Sequence, residues 1–92
     1  MTFSLEFSKE FTRTFSKLQK KDQKQVEIIL KKIREIKENP EHFKPLSNQL
    51  KGYRRVHIDS HFVLAYKVVG QTITIIDYDH HETIYEKLKR KK

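Results

Sequence analysis

The segment FVLAYKVVGQTITIIDY, residues 62–78, carries the strongest secondary-structure signal of the chain. Residues 62–69 form a near-continuous apolar run, as expected for a central strand. Residues 72–78 are rich in β-branched side chains, which favour strands. Gly70-Gln71 between the two runs suits the two-residue turn of a hairpin. We therefore predict two neighbouring antiparallel strands in the middle of a sheet.

A third strand is predicted just before this hairpin. Residues 53–58, YRRVHI, alternate between the two faces of a strand. A three-residue turn after them would pair His57 with Val63 and leave His61 at the rim. If Val56 packs beneath helices, the residues one step away, Arg55 and His57, point to the opposite face together with Tyr53.

Two amphipathic helices are predicted after a half-buried strand at residues 2–7. Ser8 suits the N-cap of a first helix of about 10 residues, and Asp22 suits the N-cap of the second. Gln25 is placed for a capping box, and Pro40 ends the second helix. The apolar positions of the second helix recur at helical spacing; they are Val26, Ile29, Leu30, Ile33 and Ile36.

The remaining segments complete an α+β fold of order β-α-α-β-β-β-α. Residues 42–51 show no periodicity and are predicted as a loop, and residues 82–89 as a short C-terminal helix. We expect a twisted, mainly antiparallel sheet with a helical hairpin on one face and a partly open second face. Since 92 residues cannot form two cores, residues 1–92 are predicted as a single domain.

Composition restricts the function. The 20 Lys and Arg against 12 Asp and Glu give a net charge of +8, which favours an anionic partner. There is no cysteine, so disulfides, thiolate metal sites and a cysteine nucleophile are excluded. No apolar run approaches the roughly 20 residues of a membrane span, and no signal peptide is recognisable. We expect a cytosolic protein with no membrane association.

The predicted open face and its rim collect basic, aromatic and imidazole side chains. These are Lys51, Arg55, His57, His61, His80, His81 and Tyr85, with Lys44 nearby in sequence. Metal-independent RNA cleavage needs such a set, because the attacking 2′-hydroxyl loses a proton, the leaving oxygen gains one, and cations hold the phosphorane oxygens. The pattern favours a ribonuclease, although each residue alone is also typical of an exposed strand edge or a capping loop.

The adjacent residues His80 and His81 do not by themselves predict a metal site. No Asp/Glu–His spacing with the right number of ligands accompanies them. We therefore predict neither a bound metal nor another cofactor.

Three segments together resemble the RelE/ParE superfamily of bacterial and archaeal toxins. They are KGYRRVHI at residues 51–58, FVLAYK at residues 62–67, and DHH at residues 79–81 with Tyr85 behind it. Pro45-Leu46 ahead of KGYR makes the chain more similar to the YafQ-like branch of RelE toxins. The resemblance covers nearly the whole chain, because the predicted element order is also that of the family.

This resemblance implies a toxin of a type II toxin–antitoxin system. It implies a ribosome-dependent endoribonuclease that cleaves mRNA in the ribosomal A site, with contacts to rRNA, and so inhibits translation. A cognate antitoxin would neutralise it, and operator DNA would be reached only through that antitoxin. Two other functions stay open: a ParE-type toxin that inhibits DNA gyrase, and a non-toxic homologue that only binds an antitoxin.

The resemblance also implies catalytic residues. His57 falls where the YafQ branch has a catalytic histidine in the same strand. His81 aligns with the C-terminal catalytic histidine of that branch, whereas His80 matches the histidine of the commoner GHR-type ending, and both stay open. Tyr85 matches the aromatic residue that follows, and Arg55 matches a position that is often basic and contacts phosphate.

RNA and phosphate binding is assigned by resemblance to Lys51, Arg54, Lys44 and His61. Lys51 matches an often basic position, and Arg54 belongs to the same KGYRR run. Lys44 and His61 replace a histidine and an aspartate of the YafQ branch. Val63 is the clearest departure, because many RelE toxins have an arginine there, although YafQ itself also lacks it.

Overall fold

The hairpin predicted at residues 62–78 forms the centre of the sheet. The computed structural model describes residues 2–91, and its strands Phe62–Val69 and Thr72–His80 pair in antiparallel fashion. Gly70 in the turn has a φ of 61°, a conformation that glycine adopts without steric cost. The predicted two-residue turn is therefore confirmed.

Within residues 2–91 the chain forms five strands and three α-helices. The elements are β1 (Ser4–Phe7), α1 (Lys9–Lys21), α2 (Gln23–Glu38), β2 (Lys44–Pro45), a 3₁₀ turn (Asn48–Leu50), β3 (Tyr53–His57), β4 (Phe62–Val69), β5 (Thr72–His80) and α3 (His81–Lys91). The strand order is β1-β5-β4-β3-β2, with β1 parallel to β5 and the other pairs antiparallel. The predicted α+β fold is confirmed, and the predicted elements follow in the expected order with the two-residue strand β2 added. No helix in this range is both long and apolar enough to cross a bilayer.

The helical hairpin covers one face of the sheet. Its core includes Ile29 and Ile36 of α2, packed with Leu64 and Tyr66 of β4, all fully buried. The hydroxyl of Tyr66 donates a 2.6 Å hydrogen bond to the carbonyl of Pro40, and burial raises the pKa of this tyrosine to about 12. This face therefore holds the larger of the two apolar clusters.

Helix α3 covers part of the opposite face. Ile84 and Leu88 pack on a smaller cluster that includes Val63, Ala65 and Tyr53. The strand register places Tyr53, as predicted, on the face away from the helical hairpin, but α3 buries it there. The second face is therefore open only beside and beyond this helix.

Several local predictions were wrong. Residues 42–51 are not only a loop, since β2 pairs with β3 and a 3₁₀ turn follows. Helix α1 has 13 residues rather than about 10. Gln25 does not complete a capping box, because the Asp22 N–H donates to the carbonyl of Leu18 over 2.8 Å. The side-chain amide of Gln25 donates to the Tyr78 hydroxyl at 2.7 Å and to Asp59 Oδ2 at 3.2 Å. The N-caps Ser8 and Asp22 are confirmed.

Candidate functional site

A hydrogen bond joins the basic strand β3 to helix α3. Arg55 Nη1 donates to the hydroxyl of Tyr85 over 2.6 Å. Lys44 pairs with Arg55 in the β2–β3 ladder, and the three side chains line a pocket of about 330 Å³. Two predicted phosphate-binding cations and the predicted aromatic residue therefore lie around one surface pocket.

His57 lies two residues beyond Arg55 and on the same face of β3, because side chains alternate along a strand. It is exposed and pairs with Val63, which in turn pairs with Asp79. Two strand spacings put the Cα atoms of His57 and Asp79 about 10 Å apart. His57 therefore faces the same side of the sheet as α3, and the predicted His57–Val63 register is confirmed.

His81 begins α3, one helical turn before Tyr85. Residues four apart on a helix have Cβ atoms about 5–6 Å apart on one side. The Arg55–Tyr85 hydrogen bond therefore also brings Arg55 to the side of α3 that carries His81. In this way imidazole, phenol and guanidinium groups from β3 and α3 share one region of the surface.

His61, His80 and His81 form a cluster at the end of the sheet. The rings of His80 and His81 stack with centroids 4.5 Å apart, and those of His61 and His80 lie 5.9 Å apart. One nitrogen from each residue lies within 4.8 Å of the other two. The backbone N–H of His81 donates to the carbonyl of His61 over 2.8 Å, which ties the two segments together. These imidazoles are a set that could hold a metal ion.

The turn before β4 fixes the position of His61. Asp59 Oδ1 accepts from the backbone N–H groups of His61 and Phe62, both at 2.8 Å. The bond from His61, followed by that from Phe62, lowers the pKa of the Asp59 carboxyl below its usual value. Asp59 is thus an ionised side chain that organises the rim of the site.

An ion-pair cluster fastens α3 to the sheet. Lys87 Nζ lies 2.9 Å from Oδ2 of the fully buried Asp77 and 2.8 Å from Oδ2 of Asp79. Burial acts to lower the pKa of Lys87, but the hydrogen bond to Asp79 and the attraction of Asp77 outweigh it, so that this pKa is raised. The cluster holds α3 where Tyr85 reaches Arg55.

Arg54 lies on the opposite face of β3 from Arg55. Its Nη1 donates to the carbonyls of Phe43 at 2.7 Å and Glu41 at 3.2 Å, so the guanidinium supports the chain between α2 and β2. The structure therefore does not bring Arg54 together with the pocket around Arg55. Lys51 is exposed after the 3₁₀ turn, where it lines a separate pocket of about 580 Å³ that Arg54 also lines.

The residues that support the site were not found from the sequence. Asp77 and Lys87 come from an apolar strand and a charged helix, and no local spacing links them. The approach of His61 to His80 was missed for the same reason, although its position at the rim was predicted. One sequence signal could have pointed to the ion-pair cluster. Asp77 and Asp79 are two residues apart in a strand and so face the same side, where a lysine of the following helix could reach both.

Comparison with known proteins gives the family. A family model described as the ParE toxin of a type II toxin–antitoxin system, parDE, matches residues 2–85. A protein named putative toxin RelE4 from Methanocaldococcus jannaschii is 46% identical over 72 residues, covering 76% of this chain and 77% of the relative. An uncharacterised protein from Methanosarcina mazei is 48% identical over 68 residues, or 72% and 79% of the two chains.

Solved structures agree with this fold. The YoeB/ParE toxin from Agrobacterium tumefaciens superposes with a TM-score of 0.77 at 24% identity, covering 86% of this chain and 99% of that one. YafQ from E. coli strain BL21(DE3) superposes with a TM-score of 0.67 at 19% identity, covering 90% and 98%. Together with the family match over residues 2–85, these similarities show that the chain belongs to the ParE toxin family of type II toxin–antitoxin systems, within the RelE/ParE superfamily.

Proposed function

We propose that this toxin is a metal-independent endoribonuclease that cleaves mRNA on the ribosome. The Arg55–Tyr85 hydrogen bond carries the proposal, because it joins the two elements that bear the imidazoles. His57 stands on β3 beside Arg55, and His81 stands on α3 one turn before Tyr85. Proton donors and acceptors are thereby available next to groups that bind phosphate.

In the proposed reaction the 2′-hydroxyl of the RNA attacks the adjacent phosphorus and the 5′ oxygen leaves. His57 and either His80 or His81 divide the proton transfers: one imidazole takes the proton of the hydroxyl and the other protonates the leaving oxygen. Arg55 stabilises the charge on the phosphorane oxygens, and Tyr85 stacks on a base or orients the substrate.

The wider basic surface would hold the RNA backbone. Lys44 adjoins Arg55 across the β2–β3 ladder. Lys51 lies exposed shortly before β3, and His61 lies exposed in the turn between β3 and β4. The net charge of +8 favours a strongly anionic substrate such as mRNA bound to rRNA. Arg54 is proposed to support this surface through the carbonyls it binds rather than through phosphate.

A cognate antitoxin is the proposed protein partner. Related folds have been solved as complexes, among them YoeB–YefM from Staphylococcus aureus and DinJ–YafQ from E. coli. We expect the antitoxin gene to lie beside that of the toxin, and we expect operator DNA to be bound through the antitoxin. Co-expression of the neighbouring gene should restore growth.

Induction of the chain in cells tests the ribonuclease proposal. Primer extension on total mRNA should show cuts in phase with codons in cells that express the wild type or His42→Ala, and none in cells that express His57→Ala. DNA damage with intact mRNA would instead identify a gyrase inhibitor, as the ParE family description allows. Unaffected growth would identify a homologue that only binds an antitoxin. Either outcome contradicts the proposal.

A further inference from the structure

We propose that His61, His80 and His81 form a binding site for a divalent transition-metal ion such as Zn²⁺. One nitrogen from each ring lies within 4.8 Å of the others. Tetrahedral Zn²⁺ with Zn–N bonds of about 2.0–2.1 Å needs its nitrogens roughly 3.3–3.4 Å apart. The stacked rings can close this gap by rotating about their side-chain torsions until their lone pairs converge.

The backbone already holds the three residues together. The N–H of His81 donates to the carbonyl of His61, and Asp59 accepts from the N–H of His61. His80 and His81 span the junction between β5 and α3. Because the main chain is fixed at each ligand, metal binding needs only side-chain motion and loses little conformational entropy.

The donor set indicates the class of ion. Imidazole nitrogens suit Zn²⁺, Ni²⁺ and Cu²⁺, whereas Mg²⁺ and Ca²⁺ need oxygen ligands. Three protein ligands leave a fourth position for water. His61 is exposed and the other two rings are partly exposed, so an ion can enter from solvent.

The backbone N–H of Glu82 orients the ring of His80 in this cluster. The backbone N–H of Glu82 donates to Nδ1 of His80 over 3.2 Å, and this nitrogen lies 3.6 Å from Oε1 of Glu82. Because Nδ1 accepts this hydrogen bond, Nε2 is the nitrogen left for a metal.

Metal binding would regulate the proposed ribonuclease. A nitrogen bonded to Zn²⁺ can neither accept nor donate a proton, so occupancy would remove His80 and His81 from proton transfer. This consequence, unlike the binding site itself, rests on the proposed function.

Calorimetric titration of the full, untagged chain with Zn²⁺ tests the site. The wild type and His42→Ala should each bind one ion per chain. His61→Ala, His80→Ala and His81→Ala should each bind it at least about 10–100-fold more weakly, the loss typical even of an outer-shell partner. Absence of Zn²⁺ binding by the wild type, or equal affinities of His61→Ala and His42→Ala, would overturn the proposal.

Two further measurements keep the test decisive if a variant unfolds. Co²⁺ added to the wild type should give the visible absorption of a four-coordinate nitrogen site, and a spectrum of hexaaquo Co²⁺ alone would overturn the proposal. Saturating Zn²⁺ should abolish mRNA cleavage by the wild type, and unchanged cleavage would refute the regulation. A wild type that binds Zn²⁺ but cleaves no RNA without it would instead refute the proposed function and leave the metal site standing.

Discussion

The two faces of the sheet differ in how much apolar surface covers them. Helices α1 and α2, with 13 and 16 residues, seal one face over a cluster that contains Ile36, Leu64 and Tyr66. The single helix α3, with 11 residues, covers the other face over a smaller cluster around Ile84. On this second face the ion pairs of Lys87 with Asp77 and Asp79 also hold α3 to the sheet.

We infer from this difference that the face under α1 and α2 serves mainly to stabilise the fold, whereas the face beside α3 presents the candidate site. The hairpin face holds the larger cluster of buried apolar side chains, which stabilises the fold. The α3 face leaves Arg55, His57, His81 and Tyr85 at a surface where a phosphate could reach them. We expect substitutions of the buried residues on either face to act on folding, and substitutions of Arg55, His57, His81 and Tyr85 to act mainly on activity.

Truncation of a buried isoleucine on each face should have the largest effect on stability. Ile36→Ala should lower the free energy of unfolding by about 4 kcal/mol, and Ile84→Ala by about 2 kcal/mol, within the range for such truncations. Both side chains are fully buried, but the cluster around Ile84 is the smaller of the two, so its truncation removes fewer packing contacts. Urea denaturation measures both free energies of unfolding. A larger loss for Ile84→Ala than for Ile36→Ala would contradict the inferred difference between the two faces.

Removal of the Lys87 ammonium should have an intermediate effect. Lys87→Ala leaves the fully buried Asp77 without its cation. We expect a loss of about 1–3 kcal/mol, below that of a sealed pair, because about a third of the lysine side chain is exposed. Lys89→Ala is the matched control, since its partner Glu86 is exposed on the same helix. Equal thermal stability of the two variants would show that the ion-pair cluster does not anchor α3.

Neutralisation of Asp59 should have the smallest effect, a modest loss of stability at neutral pH that disappears in acid. Its pKa is lowered in the folded chain, so its contribution is present above the unfolded value of about 3.9 and is lost as the pH falls through the folded value. Asp59→Asn keeps an acceptor oxygen but has no charge to lose. The free energy of unfolding of this variant should therefore fall less steeply below pH 4 than that of the wild type, and parallel curves would contradict the assignment.

The order of the elements could be predicted because each long segment carries its own periodicity. The exception is β2, whose two residues include Pro45 and show no pattern, and which exists only because Arg54 and Arg55 are there to pair with it. Gln25 likewise has a local signal for a capping box, but Tyr78, 53 positions away in sequence, offers it a buried partner instead. Contacts of this kind depend on the assembled fold and leave no local trace in the sequence.

Part of the candidate site could also be predicted from the periodicity of the strands. Strand alternation placed Arg55 and His57 on one face, and the structure agrees. Alternation could not indicate that Arg54 would be held by two carbonyls or that the turn of Asp59 would carry His61 to His80. These features depend on loop conformations, which sequence periodicity does not specify.

The most direct test of whether the α3 face is the catalytic surface is single-turnover cleavage of ribosome-bound mRNA by the purified protein. The measurement compares the wild type with His57→Ala, the double variant His80→Ala/His81→Ala, and the control His42→Ala, each verified as folded by circular dichroism. Loss of a proton-transfer group typically costs about 10²–10⁴-fold in rate. The account predicts such a loss for the first two variants and wild-type rates for His42→Ala. Cleavage by all of the variants at one common rate would contradict it.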